Sequence, residues 1–293
     1  MRNFFKVFIT ISAITFLLMF FLDKGYSYAF KYGQPRSKIQ NILQLKNKHY
    51  HVAFFGSSRI EQHINCKLIT ELTGKSCVNF GISGGSPGDM LILMKLAKER
   101  NISFDKIFMQ VDYNFDSSGI TELFKANLVP FINEPSIKKQ LKSYEEELFY
   151  RWIPFYRYMI YDKVVGIREA TASFLKLKQN TNIEIGFSPR QGIGKATAGS
   201  FPETIKDKSQ ELTQMRELYR DTNTRLEFFT APYCKEVKNR DFINKVQLKI
   251  PGLHNYIDLF DDNDEYFFNC GHLNQAGAEI FTKKLVKDLL KSK

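Results

Sequence analysis

The 293-residue chain has one tryptophan, five histidines and four cysteines, and only nine prolines and seventeen glycines. That scarcity of proline and glycine, with 43% hydrophobic and 25% charged residues, excludes collagen-like, low-complexity and disordered classes. No CxxC or HxxxH spacing occurs, so no metal site is expected. No GxGxxG or P-loop pattern occurs either, and no cofactor is implied; a nucleotide would have to use Gly84-Gly85-Ser86-Pro87-Gly88 in their place. No run of five basic residues appears, which argues against nucleic acid despite the formal net charge of +11. The charge fits lipid headgroups or an anionic polymer, or simply solvated basic faces. No internal repeat is visible, and the length suits one or two domains.

Long apolar runs are equally scarce, with one exception. Val7 to Leu22 is uncharged, and Phe4 and Phe5 extend the run past Lys6, just enough for a bilayer core. Arg2 and Lys6 precede it, so the positive-inside rule exports the rest of the chain to the periplasm or cell surface. Residues 1–24 are therefore expected to be a cytoplasmic tip and transmembrane signal-anchor, and 25–49 a linker and lead-in helix. Cleavage at the small-x-small site Ser27-Tyr28-Ala29 is the rival reading. Export permits disulfides among Cys66, Cys77, Cys234 and Cys270. Three connectivities are possible, and nearness in sequence favours Cys66 with Cys77 and Cys234 with Cys270; ordinary buried thiols are the alternative.

From residue 50 strand-like and helix-like segments alternate. HVAFF (51–55), CVNFGI (77–82), KIFMQVD (106–112), RLEFFTA (225–231) and YIDLF (256–260) read as strands, with helices over 60–73, after Pro87 and over 274–291. The pattern predicts an α/β domain over 50–293: a three-layer sandwich on a five-stranded parallel sheet of flavodoxin-like type. A helical insertion is expected at about 115–205, between strands three and four. It contains an aromatic stretch (148–165) expected to cover the active site, touch a membrane surface or pack into the core, and a Gly/Ser/Thr-rich loop (185–201).

Open parallel sheets bind ligands beyond the carboxyl ends of their strands. Those ends hold Gly56-Ser57-Ser58-Arg59, Asn79-Phe80-Gly81-Ile82-Ser83-Gly84, Asp112-Tyr113-Asn114 and Asn269-Cys270-Gly271-His272-Leu273-Asn274. Together they offer the parts of acyl transfer: a hydroxyl nucleophile, an imidazole to take its proton, and fixed donors for the oxyanion. Ser58 would attack and His272 would act as base, while the Ser58 and Gly84 N–H groups and the Asn114 amide would form the oxyanion hole. Singly, each piece has a plainer reading: a helix cap, a turn, an Asx-turn, a surface histidine.

With those four blocks in order, the chain resembles the SGNH/GDSL hydrolase superfamily over about residues 50–115 and 225–291. Gly56-Ser57-Ser58 stands for the family's Gly-Asp-Ser, which implies Ser58 as nucleophile; Gly84 and Asn114 take the oxyanion positions and His272 the base. Asn269 occupies the place where the family commonly has an acid, so either Asn269 orients the imidazole or Asp261, Asp262, Asp264 or Glu265 supplies a carboxylate. The anchor and the Gly-Ser-Ser block resemble extracytoplasmic members that act on envelope polymers, often beside a multispanning membrane O-acyltransferase. The resemblance implies a serine esterase or O-acyltransferase for acyl (chiefly acetyl) esters of a cell-surface polysaccharide or related polymer. The alternative is a non-catalytic accessory protein that keeps the fold.

Overall fold

The computed structural model describes residues 1–142, 147–178, 186–194 and 199–290. The chain forms two compact units, one of Met1–Gln44 with Glu122–Gln179 and the other of Leu45–Thr121 with Asn180–Lys293.

The second unit is α/β. Strands β1 (His49–Gly56), β2 (Cys77–Gly81), β3 (Ser103–Gln110) and β4 (Arg225–Phe229) make a parallel sheet in the order β2-β1-β3-β4. Val52 to Gly56, all of β2 and the last four residues of β3 are buried at consecutive positions, so both faces of the sheet are covered there. The faces are filled by phenylalanine: Phe54 stacks on Phe108 at 5.2 Å and meets Phe229 edge-on, while Phe55 packs on Phe80 at 4.9 Å. Register pairs Gly56 with Gly81 and Phe55 with Met109, which brings the carboxyl ends of β1, β2 and β3 level.

The helices begin where the sequence supplies caps. Ser86 and Asp89 form a reciprocal capping box with Pro87 at the first turn of Pro87–Glu99. The stretch predicted as one helix over 60–73 is two, Ser58–His63 and Cys66–Thr73. The Asn65 side chain between them accepts the Leu68 N–H at 3.1 Å and starts a new helix. Gly74, at φ +68°, ends it. The closing helix is Gln275–Leu285, capped by Asn274 and followed by a wider turn to Leu290.

The expected fifth strand does not form, so the sheet has four strands rather than five. Asn255 Oδ1 accepts the Ile257 N–H and the Thr230 hydroxyl, and Thr230 Oγ1 accepts the Tyr256 N–H. These side chains take the backbone donors that a ladder would need, and residues 256–260 turn instead; what remains is one parallel bridge, Phe229 to His254. A small antiparallel pair, β5 (Phe267–Asn269) and β6 (His272–Leu273), follows. The disulfides are Cys66–Cys77 and Cys234–Cys270.

In the first unit the N-terminal helix runs unbroken from Arg2 to Tyr32, past the expected linker start at Gly25, because its last turns have packing partners. Ala29 and Phe30 are buried, the Ala29 carbonyl accepts from Ser173 Oγ at 3.0 Å, and Gln40 Nε2 donates to the Phe30 carbonyl at 2.7 Å. The apolar part has the length and composition of a membrane anchor or signal sequence. The aromatic stretch 148–165 is three short helices, Glu147–Trp152, Tyr156–Ile160 and Asp162–Val165, broken after Pro154 by Phe155 at φ +65°. It divides by burial: Tyr150, Arg157 and Tyr158 lie inside, Phe149 and Trp152 outside.

Candidate active site

The turn after β1 leaves no room for a side chain at Gly56, where an added Cβ would sit 2.6 Å from Gln110 Oε1 and 2.5 Å from Ile60 Cγ1. Gly81 is tighter still: its Cβ would lie 2.3 Å from the Glu61 nitrogen, so β2 runs directly against the short helix Ser58–His63. Asn79 fastens that helix, with Nδ2 donating to the Ile60 and Ile64 carbonyls at 2.7 and 2.9 Å and Oδ1 accepting the Gly81 N–H. Thus the second sequence block builds the seat of the first.

The two serines have different fates. Ser57 caps the helix, and both its N–H and its hydroxyl donate to Gln110 Oε1 at 2.9 Å, in the interior. Ser58 is half-buried, and its Oγ lies 2.8 Å from His272 Nε2. On the far side of the ring, His272 Nδ1 lies 3.0 Å from Asn269 Oδ1. The same oxygen accepts the Gly271 N–H at 3.1 Å, which fixes the amide's orientation, since its nitrogen could not accept that bond. Nδ1 therefore carries the proton, and the Nε2 lone pair faces the Ser58 hydroxyl. Burial first, then the charges of Arg59 and Arg190, lower the His272 pKa to about 4, so the ring is neutral at physiological pH.

The upstream acids do not take part in this row: Asp261 pairs with Arg240 at 2.8 Å and Asp264 lies 3.7 Å from Lys235. The oxygen facing His272 Nδ1 is that of Asn269. Asn114 is buried in a short 3-10 turn after β3, its Oδ1 accepting the Asp112 N–H at 3.3 Å. Gly84 is exposed in the turn after β2 at φ +72°. Level strand ends place Ser58, Gly84 and Asn114 on one edge of the sheet. None of the Ser58 N–H, the Gly84 N–H and Asn114 Nδ2 has a partner among the described residues.

A buried layer under the site escaped sequence reasoning. Arg59 turns inward from the residue after Ser58, pairs with Asp112 Oδ2 through Nε at 2.8 Å and a terminal nitrogen at 2.7 Å, and lies between the rings of Tyr113 and Tyr233. Burial opposes the Arg59 charge, but Asp112 and the two tyrosines hold the guanidinium protonated. Gln110 Nε2 also donates to Asp112 Oδ2, and so links this layer to Ser57. His63, at the far end of the Ser58–His63 helix, accepts the Leu273 N–H at 3.0 Å, and one helix thereby grips both Ser58 and the strand of His272. Arg59 follows Ser58 in the first block, and its role shows only in the buried pairing with Asp112.

A cleft of about 300 Å³ opens beside His272, walled by Tyr113, Phe201, Tyr233, Val237 and the backbone of Gly199 and Gly271. The Gly/Ser/Thr-rich loop thus ends at the site. The Cys234–Cys270 bridge, with the Cys234 N–H donating to the Cys270 carbonyl at 3.0 Å, holds the loop of His272 to the segment after β4. Among the described residues, two groups bring three ligand-type residues together: His49, His51 and Asp105 at the amino end of the sheet, and Cys234, Glu236 and Cys270. In the latter both sulfurs are in the disulfide and offer no thiolate; in the former both histidines bond to serine hydroxyls, of Ser103 and Ser76.

No family model matches the chain, and no curated protein does. Among solved structures the chain is similar to a Streptococcus pneumoniae protein provisionally described as a platelet activating factor. The identity is 15% and the TM-score 0.40, with 98% of this chain and 99% of that one covered.

Proposed function

We propose that this chain is an envelope-anchored, SGNH-type acyl-ester enzyme, an esterase or O-acyltransferase acting on acyl (chiefly acetyl) esters of a cell-surface glycan or related polymer. The observation that carries the reading is the hydrogen-bonded row Ser58 Oγ, His272, Asn269 Oδ1 at 2.8 and 3.0 Å. As Ser58 Oγ attacks the acyl carbon, His272 Nε2 takes its proton, and the oxyanion meets the Ser58 and Gly84 N–H groups and Asn114 Nδ2. His272 then returns the proton to the leaving sugar oxygen, which leaves the acyl group on Ser58. Water or a second sugar hydroxyl, deprotonated by the same imidazole, completes hydrolysis or transfer. Tyr113, Phe201 and Tyr233 give the cleft flat walls suited to a sugar ring, and a multispanning membrane O-acyltransferase is the partner that fits transfer.

A second reading, an accessory protein that binds the acylated polymer without turning it over, is favoured by the neutral Asn269 and the low proton affinity of His272. One experiment separates the two. Full-length protein is treated with a fluorophosphonate probe and the adduct is mapped by mass. An adduct on Ser58 that is lost in Ser58→Ala supports the enzyme; no adduct on folded protein, or one on Ser57, rejects it.

A further inference from the structure

The end of the apolar run marks a level on the N-terminal helix. Phe21 is 68% exposed, Leu22 37% and Asp23 9%, so protein begins to cover the helix at the first charged residue after the run. The covering element is the turn between Glu147–Trp152 and Tyr156–Ile160. The Phe155 N–H donates to Asp23 Oδ2 at 3.0 Å, and an Arg157 terminal nitrogen donates to Asp23 Oδ1 and to Ser27 Oγ, each at 2.9 Å. The Tyr26 and Phe155 rings meet edge-on at 4.9 Å. A carboxylate at the rim of a hydrocarbon layer must be paired, and this pairing sets the turn within about one helical pitch, roughly 5 Å, of Leu22.

The helix leading into that turn carries an exposed apolar face, on which the Phe149 ring meets Tyr156 at 6.0 Å. Leu148, Phe149, Trp152 and Ile153 fall at i, i+1, i+4 and i+5, and all are exposed, Trp152 at 77%. Trp152 is three residues from Phe155, hence within about 10 Å of it along the chain. Arg151 pairs with Glu147, and Lys24 lies 5.3 Å from the Phe20 ring at the same level of the anchor.

We infer that the Leu148–Ile153 face sits in the headgroup layer of the bilayer spanned by the N-terminal helix, a second membrane contact that holds this unit against the surface. Lipid is the occupant because the span itself sets the height of the face: with Phe4 to Leu22 in hydrocarbon, a face tied to Asp23 meets the boundary where tryptophan and basic side chains partition. The inference rests on the reading of that helix as a membrane anchor, and the test reads the anchor separately.

Trp152 is the only tryptophan in the chain, so its fluorescence reports this face alone. Full-length protein is reconstituted into phosphatidylcholine–phosphatidylglycerol vesicles carrying lipid brominated near the headgroup or deep in the acyl chain, and iodide is added to both sides. The expected result is at least two-fold quenching by shallow bromines, less by deep ones, and little by iodide. Moving the reporter along the face, with Phe149→Trp in a Trp152→Phe background, should give the same order. Strong iodide quenching without lipid quenching in protein that floats with the vesicles would overturn the docked face while leaving the anchor intact. Protection from both quenchers would overturn it in favour of a protein neighbour, and failure to float would overturn both.

Discussion

Replacing Asn269 by aspartate tests how the imidazole is held. In the protein, His272 Nδ1 faces an uncharged oxygen at 3.0 Å, and the ring's pKa is lowered from 6.5 to about 4, or about 2.5 pH units. Each unit is about 1.4 kcal/mol, so protonating this ring costs roughly 3.5 kcal/mol more than protonating an ordinary histidine, before solvent screening is counted. A carboxylate in the same place, kept in position by the Gly271 N–H, would offset part of that. Solvent screening of a half-buried ring and partial proton transfer in the transition state reduce the gain to about 1–2 kcal/mol, or roughly 5- to 30-fold in kcat/KM. The lower limb of the pH profile should move with it. Above its pKa the wild-type ring is a free base, so the wild-type limb lies near pH 4; in Asn269→Asp it should rise towards 6. The assay is p-nitrophenyl acetate hydrolysis by full-length protein from pH 4 to 9, with Ser58→Ala as the blank. An unchanged kcat/KM and an unmoved limb would refute the assignment of Asn269 and His272. If Ser58→Ala were silent as well, ester chemistry would not be this chain's work.

Three further outcomes follow from the geometry. Gly81→Ala puts a methyl group 2.3 Å from the Glu61 nitrogen and should push the Ser58–His63 helix away, costing about 1–3 kcal/mol in denaturant unfolding and most of any Ser58 labelling, whereas Gly74→Asn should be mild. Cys234→Ser with Cys270→Ser opens a link between residues 36 apart in sequence and should cost about 4 kcal/mol by chain entropy, with Ser58 labelling falling before secondary structure is lost on warming; equal Tm values would contradict it. Stability should fall as pH drops from 6.5 towards 4: the pKa values of His63 and His272 are lowered by burial in the folded state, so the unfolded chain binds more protons in that window, and a Tm that is flat there would count against both placements.

The sequence alone determined what depends on neighbours along the chain. An apolar run fixes an anchor-like helix because hydropathy is additive. Alternating β-rich and helical segments fix four parallel strands because burial on both faces demands continuous apolar runs such as Val52–Phe55. Glycine, serine and asparagine at the strand ends mark one edge, since turns there need small or capping residues. Side-chain competition, which acts through space, needed the tertiary structure. Residues 256–260 read as a strand by composition, but Thr230, 26 residues before Tyr256, claims the Tyr256 N–H and holds Asn255, whose side chain claims the Ile257 N–H. Asn269 stood at the acid's usual place with four upstream acids as alternatives, and the tight β5–β6 turn, with the Gly271 N–H on the amide oxygen, sets Asn269 Oδ1 3.0 Å from His272 Nδ1. The stretch 148–165 interleaves aromatic and basic residues with no sign of which face is buried, yet Asp23 draws Arg157 inward and leaves Trp152 outside. Arg59 had no role in the sequence pattern, and it gains one only where Asp112, 53 residues away, meets it in the interior. A charge is buried only where its partner is already waiting, and that partner is supplied by the fold, not by the adjoining sequence.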